Sequence, residues 1–492
     1  MHIKILGNNT IRWNQLTEED VGSFFIIKFE DFIETGRLNM KKKLQFKLST
    51  TQTVLLSFFL AILVGSILLA LPISSVNGGR ISYIDALFTA TTSVCVTGLV
   101  TVPTVSTWSV FGQIVILILI QIGGLGIITI MSGVMISFHK KMGIGDRMLI
   151  QDAFNLNTLS GLVKFIKKVL IGTFIVEGIG ALLYMSVFVP EYGAKGIWIS
   201  IFNSISAFCN AGIDILSEAS LCAYALNPMI NITTCLLIIL GGLGYVVWWD
   251  FIRVLEKMKH QKWKCFSGMT LHSKITLSVT AALIVAGTLV FFVFEYNNPL
   301  TIAEYSLIDK LQVAFFQSVT TRTAGFATIP QQNLTNASAI VSLLLMFIGG
   351  SPVGTAGGIK TVTMMVLIAS AFATITNKED VVLFHRTISK QTINKAVAVV
   401  SISFMVMFSS TVLLAAVTDA NALDIVYETV SATATVGLTR NLTPTLNLWG
   451  KMIIIITMYL GRVGPISLLI AFNTKKEKKN IIKNPTEEIS VG

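Results

Sequence analysis

Four glycines, Gly98, Gly212, Gly325 and Gly437, recur along this chain at intervals of 114, 113 and 112 residues. Each follows a short half-apolar stretch and precedes a long apolar one. The local strings are Val96-Thr97-Gly98-Leu99, Asn210-Ala211-Gly212-Ile213, Thr323-Ala324-Gly325-Phe326 and Thr435-Val436-Gly437-Leu438. A near-constant period means one unit copied four times, and a copied unit restricts architecture more than any single motif. Four glycine-bearing loops around one axis in a membrane are what an ion filter requires.

The membrane setting follows from composition. Of 492 residues, 53% are hydrophobic and only 13% charged, against roughly 25% charged in soluble domains. Net charge is +11. Of the 37 Lys and Arg residues, 29 lie in the polar stretches 1–50, 138–168, 253–274, 377–395 and 473–492. Such an excess marks the cytoplasmic side of a membrane. The basic balance therefore reports topology and does not indicate nucleic acid as a partner. Membrane lipid is the implied surroundings. The N-terminus has no early apolar region, so no cleavable signal is expected. Five cysteines follow no zinc or disulfide spacing.

A spanning helix needs about 20 apolar residues. Candidates come in pairs. The first members are 52–73, 163–189, 273–294 and 392–417, and the second members are 109–137, 229–252, 338–375 and 446–472. Segments too short to span lie between them, at 83–94, 197–208, 308–319 and 423–434. The expected fold is an all-α polytopic membrane protein. It has four parallel helix–pore helix–filter loop–helix repeats around a central pore. Eight spans place both termini in the cytoplasm and let the short segments enter from outside. The expected divisions are a cytoplasmic leader (1–50), pore repeats at 51–137, 138–252, 253–375 and 376–473, and a basic tail (474–492). An aromatic stands ten residues before each glycine, at Phe88, Phe202, Phe315 and Tyr427, as expected for packing of a short helix. The second helices carry Gly123-Gly124-Leu125-Gly126, Gly241-Gly242-Leu243-Gly244, Gly349-Gly350 and Gly461-Arg462-Val463-Gly464. Glycine there permits close approach or a bend.

A cation leaving water needs oxygens in place of its hydration shell. Backbone carbonyls supply them without fixed charge, so the ion can also leave. Turning successive carbonyls toward one axis requires positive φ, which glycine adopts freely. Irregular backbone at membrane depth is tolerated where it lines a cavity. The candidate ion ligands, for potassium, are thus the residues of the four strings.

At this point the chain resembles the membrane subunit of the Ktr/Trk/HKT superfamily of potassium transporters, over roughly 45–473. Thr435-Val436-Gly437-Leu438 is similar to the opening of the potassium-channel filter signature, and the other strings are degenerate copies. Glycine in all four copies resembles potassium-selective members, whereas some sodium-selective relatives carry serine in the first. Trk-type chains usually begin with an extra helical pair. Here a charged leader takes its place, so the Ktr type fits better. Met40 before Lys41-Lys42-Lys43 marks either a start or a basic anchor. The resemblance implies potassium uptake at the plasma membrane, a homodimer, gating by a cytosolic nucleotide-binding ring, and sodium as a possible activator. No covalent cofactor is implied.

Two departures from the repeat stand out. Residues 349–361 hold Gly349, Gly350, Ser351, Pro352, Gly354, Thr355, Gly357, Gly358 and Lys360 inside a long apolar stretch. A helix does not continue through this composition. The resemblance implies an intramembrane loop that obstructs the pore. Arg462 occupies the place of Gly124, Gly242 and Gly350. A central charge costs at least ~2.5 kcal/mol to insert, so it must face water, a partner or the pore. The resemblance makes it part of the barrier. Arg322 is expected behind the filter, Asp214 at its mouth, and Glu177 against a neighbouring repeat. A sodium- or proton-coupled carrier is the alternative, though the repeats run parallel and carriers often show inverted ones. No metal pair, GxSxG string or paired intramembrane aspartate argues for an enzyme.

Overall fold

The computed structural model describes residues 2–4, 10–12, 49–137, 143, 161–261 and 268–464. The expected tail at 474–492 and most of the leader lie outside these. In the N-terminal unit, His2–Lys4 pairs antiparallel with Thr10–Arg12. The remainder is a helical bundle built on the repeat.

Repeat 1 runs Thr50–Leu69, Tyr83–Cys95 and Val110–Leu125. Repeat 2 runs Leu162–Tyr192, Ala194–Cys209 and Pro228–Leu243. Repeat 3 runs Leu271–Glu295, Leu307–Thr320 and Asn336–Phe347. Repeat 4 runs Lys390–Val417, Ala422–Ala434 and Leu448–Val463. The first helix of each repeat is long and apolar enough to cross a membrane. These helices expose Leu182, Val293 and Met405 outward, where lipid supplies an apolar solvent. The hydroxyl-rich short helices are buried instead. Ten of the thirteen residues of Tyr83–Cys95 lie inside.

The second members are interrupted at the glycines that permit a bend and, in repeat 3, at the stretch through which no helix was expected to continue. Helices end at Leu125, Leu243 and Val463, where Gly126, Gly244 and Gly464 take φ of 82°, 86° and 87°. A left-handed residue cannot continue a right-handed helix. Ile127–Ser137 and Tyr245–Gln261 resume beyond the break, the second at 99° to its predecessor. In repeat 3 the break widens to the whole stretch between Phe347 and Thr361, where Thr361–Ile375 begins. Residues 465–472 lie outside the described residues. A hairpin of Val382–Leu383 with Arg386–Thr387 follows repeat 3.

Close approach explains the glycines before each break. A Cβ on Gly123 would overlap the Val94 carbonyl, one on Gly241 the Phe208 carbonyl, and one on Gly461 the Thr433 carbonyl. All three carbonyls lie four residues before a repeat glycine. The second helix of each of these repeats thus packs directly on its own short helix. Gly241→Ala is expected to lower stability by about 1–3 kcal/mol through overpacking. Thermal unfolding of the detergent-solubilised protein measures this. Repeats 1 and 4 are joined directly: Lys451 Nζ lies 2.6 Å from Asp85 Oδ1, and the Tyr459 hydroxyl donates to Leu55 O at 2.9 Å.

Candidate functional site

The short helices determine where the four strings go. Three end in a left-handed residue, Val96, Asn210 or Thr435, with φ of 54°, 60° and 51°. There the next amide closes back on the helix. Thr97 N donates to Thr92 O, Ala211 N to Ser206 O and Val436 N to Ser431 O, at 2.8–2.9 Å. The third short helix stops earlier, at Thr320, five residues before its glycine instead of three, and its left-handed residue is Thr323, φ 69°. The earlier stop goes with a register shift of one residue. Phe316 is buried and Phe315 is partly exposed, whereas Phe88, Phe202 and Tyr427 are buried as expected of their positions.

The glycines two residues on have φ of 99°, 65°, 85° and 95°. Each string therefore goes left-handed, ordinary, left-handed. Alternation of hand sets successive peptide groups on one side, unlike the pleat of a strand. The non-glycine member of each pattern escaped the sequence reading, since valine, asparagine and threonine do not advertise positive φ.

The four strings meet. A Cβ on Gly98 would lie 2.6 Å from Ala211 O, one on Gly212 2.5 Å from Ala324 O, and one on Gly325 2.6 Å from Val436 O. A Cβ on Gly437 would overlap Thr97 O and lie 2.8 Å from the Gly98 Cα. Each glycine thus faces the carbonyl that precedes the glycine of the next repeat, and the fourth returns to the first. Leu99, Ile213, Phe326 and Leu438 follow the glycines and are buried. The short helices also end here, so their negative dipole ends converge beside the ring. The arrangement can strip and coordinate a cation with uncharged oxygens.

Beneath the ring lies the glycine-rich loop. Ile348 and Ile359 bridge in parallel, Gly349 N donates to Ile359 O at 2.9 Å, and Thr361 N donates to Gly350 O at 3.0 Å. Toward repeat 2, Ser351 N donates to Gly242 O, Thr355 N to Gly241 O and Tyr245 N to Val353 O, at 2.9–3.2 Å. Pro352 O and Gly354 N pack where a Cβ on Gly244 would stand. Thr355 Oγ1 donates to Phe208 O at 3.0 Å. A Cβ on Gly357 would overlap Thr435 Oγ1, a buried hydroxyl with no hydrogen-bond partner among the described residues. Gly358 takes φ 64° and Lys360 Nζ donates to Ala356 O at 2.6 Å. The loop also borders a cavity of about 410 Å³ shared with Gly124, Tyr245 and Arg462.

Arg462 contacts two other repeats. Its Nη1 donates to Thr355 O at 2.7 Å and its Nη2 to Gly123 O at 2.5 Å. Both acceptors are neutral carbonyls, and the ion pairs among the described residues do not include it. Arg322 spans from Thr280 O to Gly349 O, each 3.3 Å away, so it ties the third string to the loop. Glu177 receives the Gln121 amide on both oxygens at 3.1 and 3.2 Å, a contact between repeats 2 and 1. Asp214 is buried and turned into its own loop, where Leu216 N donates to it at 3.1 Å. No group of three or more metal-ligating side chains occurs among the described residues.

The comparisons agree with this architecture. The model of the cation transport protein family TrkH matches residues 24–484. Ktr system potassium uptake protein B of Bacillus subtilis is 40% identical over 442 residues, covering 90% of this chain and 96% of that protein. Potassium/sodium uptake protein NtpJ of Enterococcus hirae is 38% identical over 459 residues, covering 92% of this chain and 99% of that protein. The crystal structure of the potassium transporter TrkH from Vibrio parahaemolyticus superposes with TM-score 0.66 at 16% identity over 85% of each chain, a likeness of fold. This helical membrane protein belongs to the TrkH family of cation transport proteins.

Proposed function

We propose that the chain is the pore-forming subunit of a potassium uptake system of the plasma membrane, with both termini cytoplasmic. The closed ring in which each of four glycines meets the carbonyl of the next repeat carries this reading. Its filter is the four strings 96–99, 210–213, 323–326 and 435–438. Its gate is the loop 349–361 with Lys360 and Arg462. The names of the Bacillus and Enterococcus relatives support potassium as the ion. The second of these names includes sodium, which enters the proposal as an activator. The homodimer, the cytosolic nucleotide-binding ring and the repeat boundaries expected from the sequence belong to the same proposal.

The contact between Gly357 and Thr435 makes the gate testable. A methyl group on Gly357 does not fit while the loop sits beneath the fourth string. Overpacking of about 1.4 kcal/mol against the closed arrangement shifts its population tenfold. Gly357→Ala is therefore expected to raise potassium uptake about tenfold in cells lacking their own uptake systems. Lower uptake by a well-expressed variant would show that the loop supports the pore and does not block it.

A further inference from the structure

Four hydroxyls stand directly behind the strings, in two different arrangements. In repeats 1 and 4 the hydroxyl binds the glycine's own amide: Gly98 N donates to Thr92 Oγ1 at 2.9 Å and Gly437 N to Ser431 Oγ at 3.0 Å. In repeats 2 and 3 it binds the carbonyl after the glycine: Ser206 Oγ donates to Ile213 O at 2.5 Å and Thr320 Oγ1 to Phe326 O at 2.6 Å. All four side chains are fully buried. Thr92, Ser206 and Ser431 each lie six residues before their glycine. Valine occupies that place in repeat 3, at Val319, and Thr320 beside it supplies the hydroxyl.

A trans peptide points its C=O and N–H in opposite directions. Holding the Gly98 and Gly437 amides outward therefore aims the Thr97 and Val436 carbonyls inward. Those two oxygens are the ones that Gly437 and Gly325 face across the ring. By the same geometry, holding the Ile213 and Phe326 carbonyls outward takes two oxygens away from the axis on the other side. Repeats 1 and 4 are neighbours in the ring, as are 2 and 3. The ring thus has one half whose coordinating oxygens are aimed from behind and one half whose outer oxygens are withdrawn.

Resting on the filter reading above, we propose that Thr92 and Ser431 are specificity-determining positioning residues. Their hydroxyls fix the Thr97 and Val436 carbonyls at the spacing that suits potassium over sodium. Ser206 and Thr320 shape the outer end and leave that spacing unset. Without its anchor a peptide can rotate, and its oxygen can close on the smaller ion.

The experiment is competitive potassium and sodium uptake into liposomes containing the purified full chain, with unfolding temperature recorded for each variant. Thr92→Val and Ser431→Ala are expected to lower the potassium-to-sodium ratio about fivefold, the scale of one hydrogen bond. Thr92→Ser and Ser431→Thr keep the hydroxyl and should remain within about twofold of wild type, while Ser206→Ala should hold the ratio at a similar level. A stability change alone would not alter this ratio. If Thr92→Val fails to fold, Ser431→Ala decides, as the smaller change. An unchanged ratio in folded Ser431→Ala overturns the proposal. So does Thr92→Ser behaving like Thr92→Val, or Ser206→Ala losing as much selectivity. If Gly98→Ser destroys the ratio while Thr92→Val and Ser431→Ala keep it, the filter reading stands and this proposal falls. If wild type shows no preference, both fall.

Discussion

Arg462→Ala is expected to raise potassium flux about tenfold in liposomes containing the purified chain. Two effects act in the same direction. The guanidinium donates to Thr355 O in the loop and to Gly123 O at the bend of repeat 1. Hydrogen bonds from a charged donor contribute about 1.5–3 kcal/mol each, so losing the one to the loop destabilises the closed arrangement by that order. The charge also opposes an incoming cation. At an effective dielectric near 20, two unit charges ~5 Å apart repel by about 3 kcal/mol, and water in the cavity reduces this. Tenfold requires only about 1.4 kcal/mol of the combined effect. Arg462→Lys separates the two contributions. Lysine keeps the charge but loses the fork that reaches two carbonyls at once. Because both bonds are present, the lysine variant should resemble alanine more than wild type. A lysine variant with wild-type flux would assign the barrier to charge alone. An alanine variant that unfolds would make Arg462 a structural tie between repeats 1, 3 and 4.

Gly98→Ser is expected to lower the potassium-to-sodium uptake ratio at least about tenfold while the protein still reaches the membrane. Gly98 has φ 99°, a conformation that L side chains rarely adopt, and its Cβ would stand 2.6 Å from Ala211 O. Real Cβ atoms do not come that close. Either the serine backbone or the Ala211 carbonyl of the next repeat must move, and that oxygen is one of the four in the ring. Backbone strain of this kind costs about 1–3 kcal/mol, enough to reshape a loop but small against the packing of the helices. An unchanged ratio in a folded variant would remove Gly98 from the ion path.

Much of this arrangement was legible in the sequence because the unit is copied. The four short helices begin and end within about three residues of the segments read from apolar length. The breaks in the second helices were less legible. Apolar runs such as 109–137 look continuous, because hydropathy does not record the hand of φ at Gly126. The left-handed Val96 and Thr435 were hidden for a related reason, since a tight helix C-terminus imposes that conformation on whatever residue stands there. Arg462 stood out by breaking the repeat, and the resemblance placed it beside the loop 349–361, but the individual acceptors did not stand out. They are backbone carbonyls of Thr355 and Gly123, and a carbonyl is common to every residue. Phe315 misled because its place was counted back from the glycine, while the third short helix stops two residues earlier than its siblings and its buried face is offset by one residue.

In the proposed function the ring of Gly98, Gly212, Gly325 and Gly437 selects and passes potassium. Initial rates of potassium and sodium entry into liposomes containing only the purified wild-type chain test it most directly, with each ion measured in the presence of the other. Saturable potassium entry that sodium competes with weakly is expected, with loss of that preference in Gly98→Ser. Equal entry of both ions through the wild-type protein, or a preference that Gly98→Ser leaves intact, would contradict it.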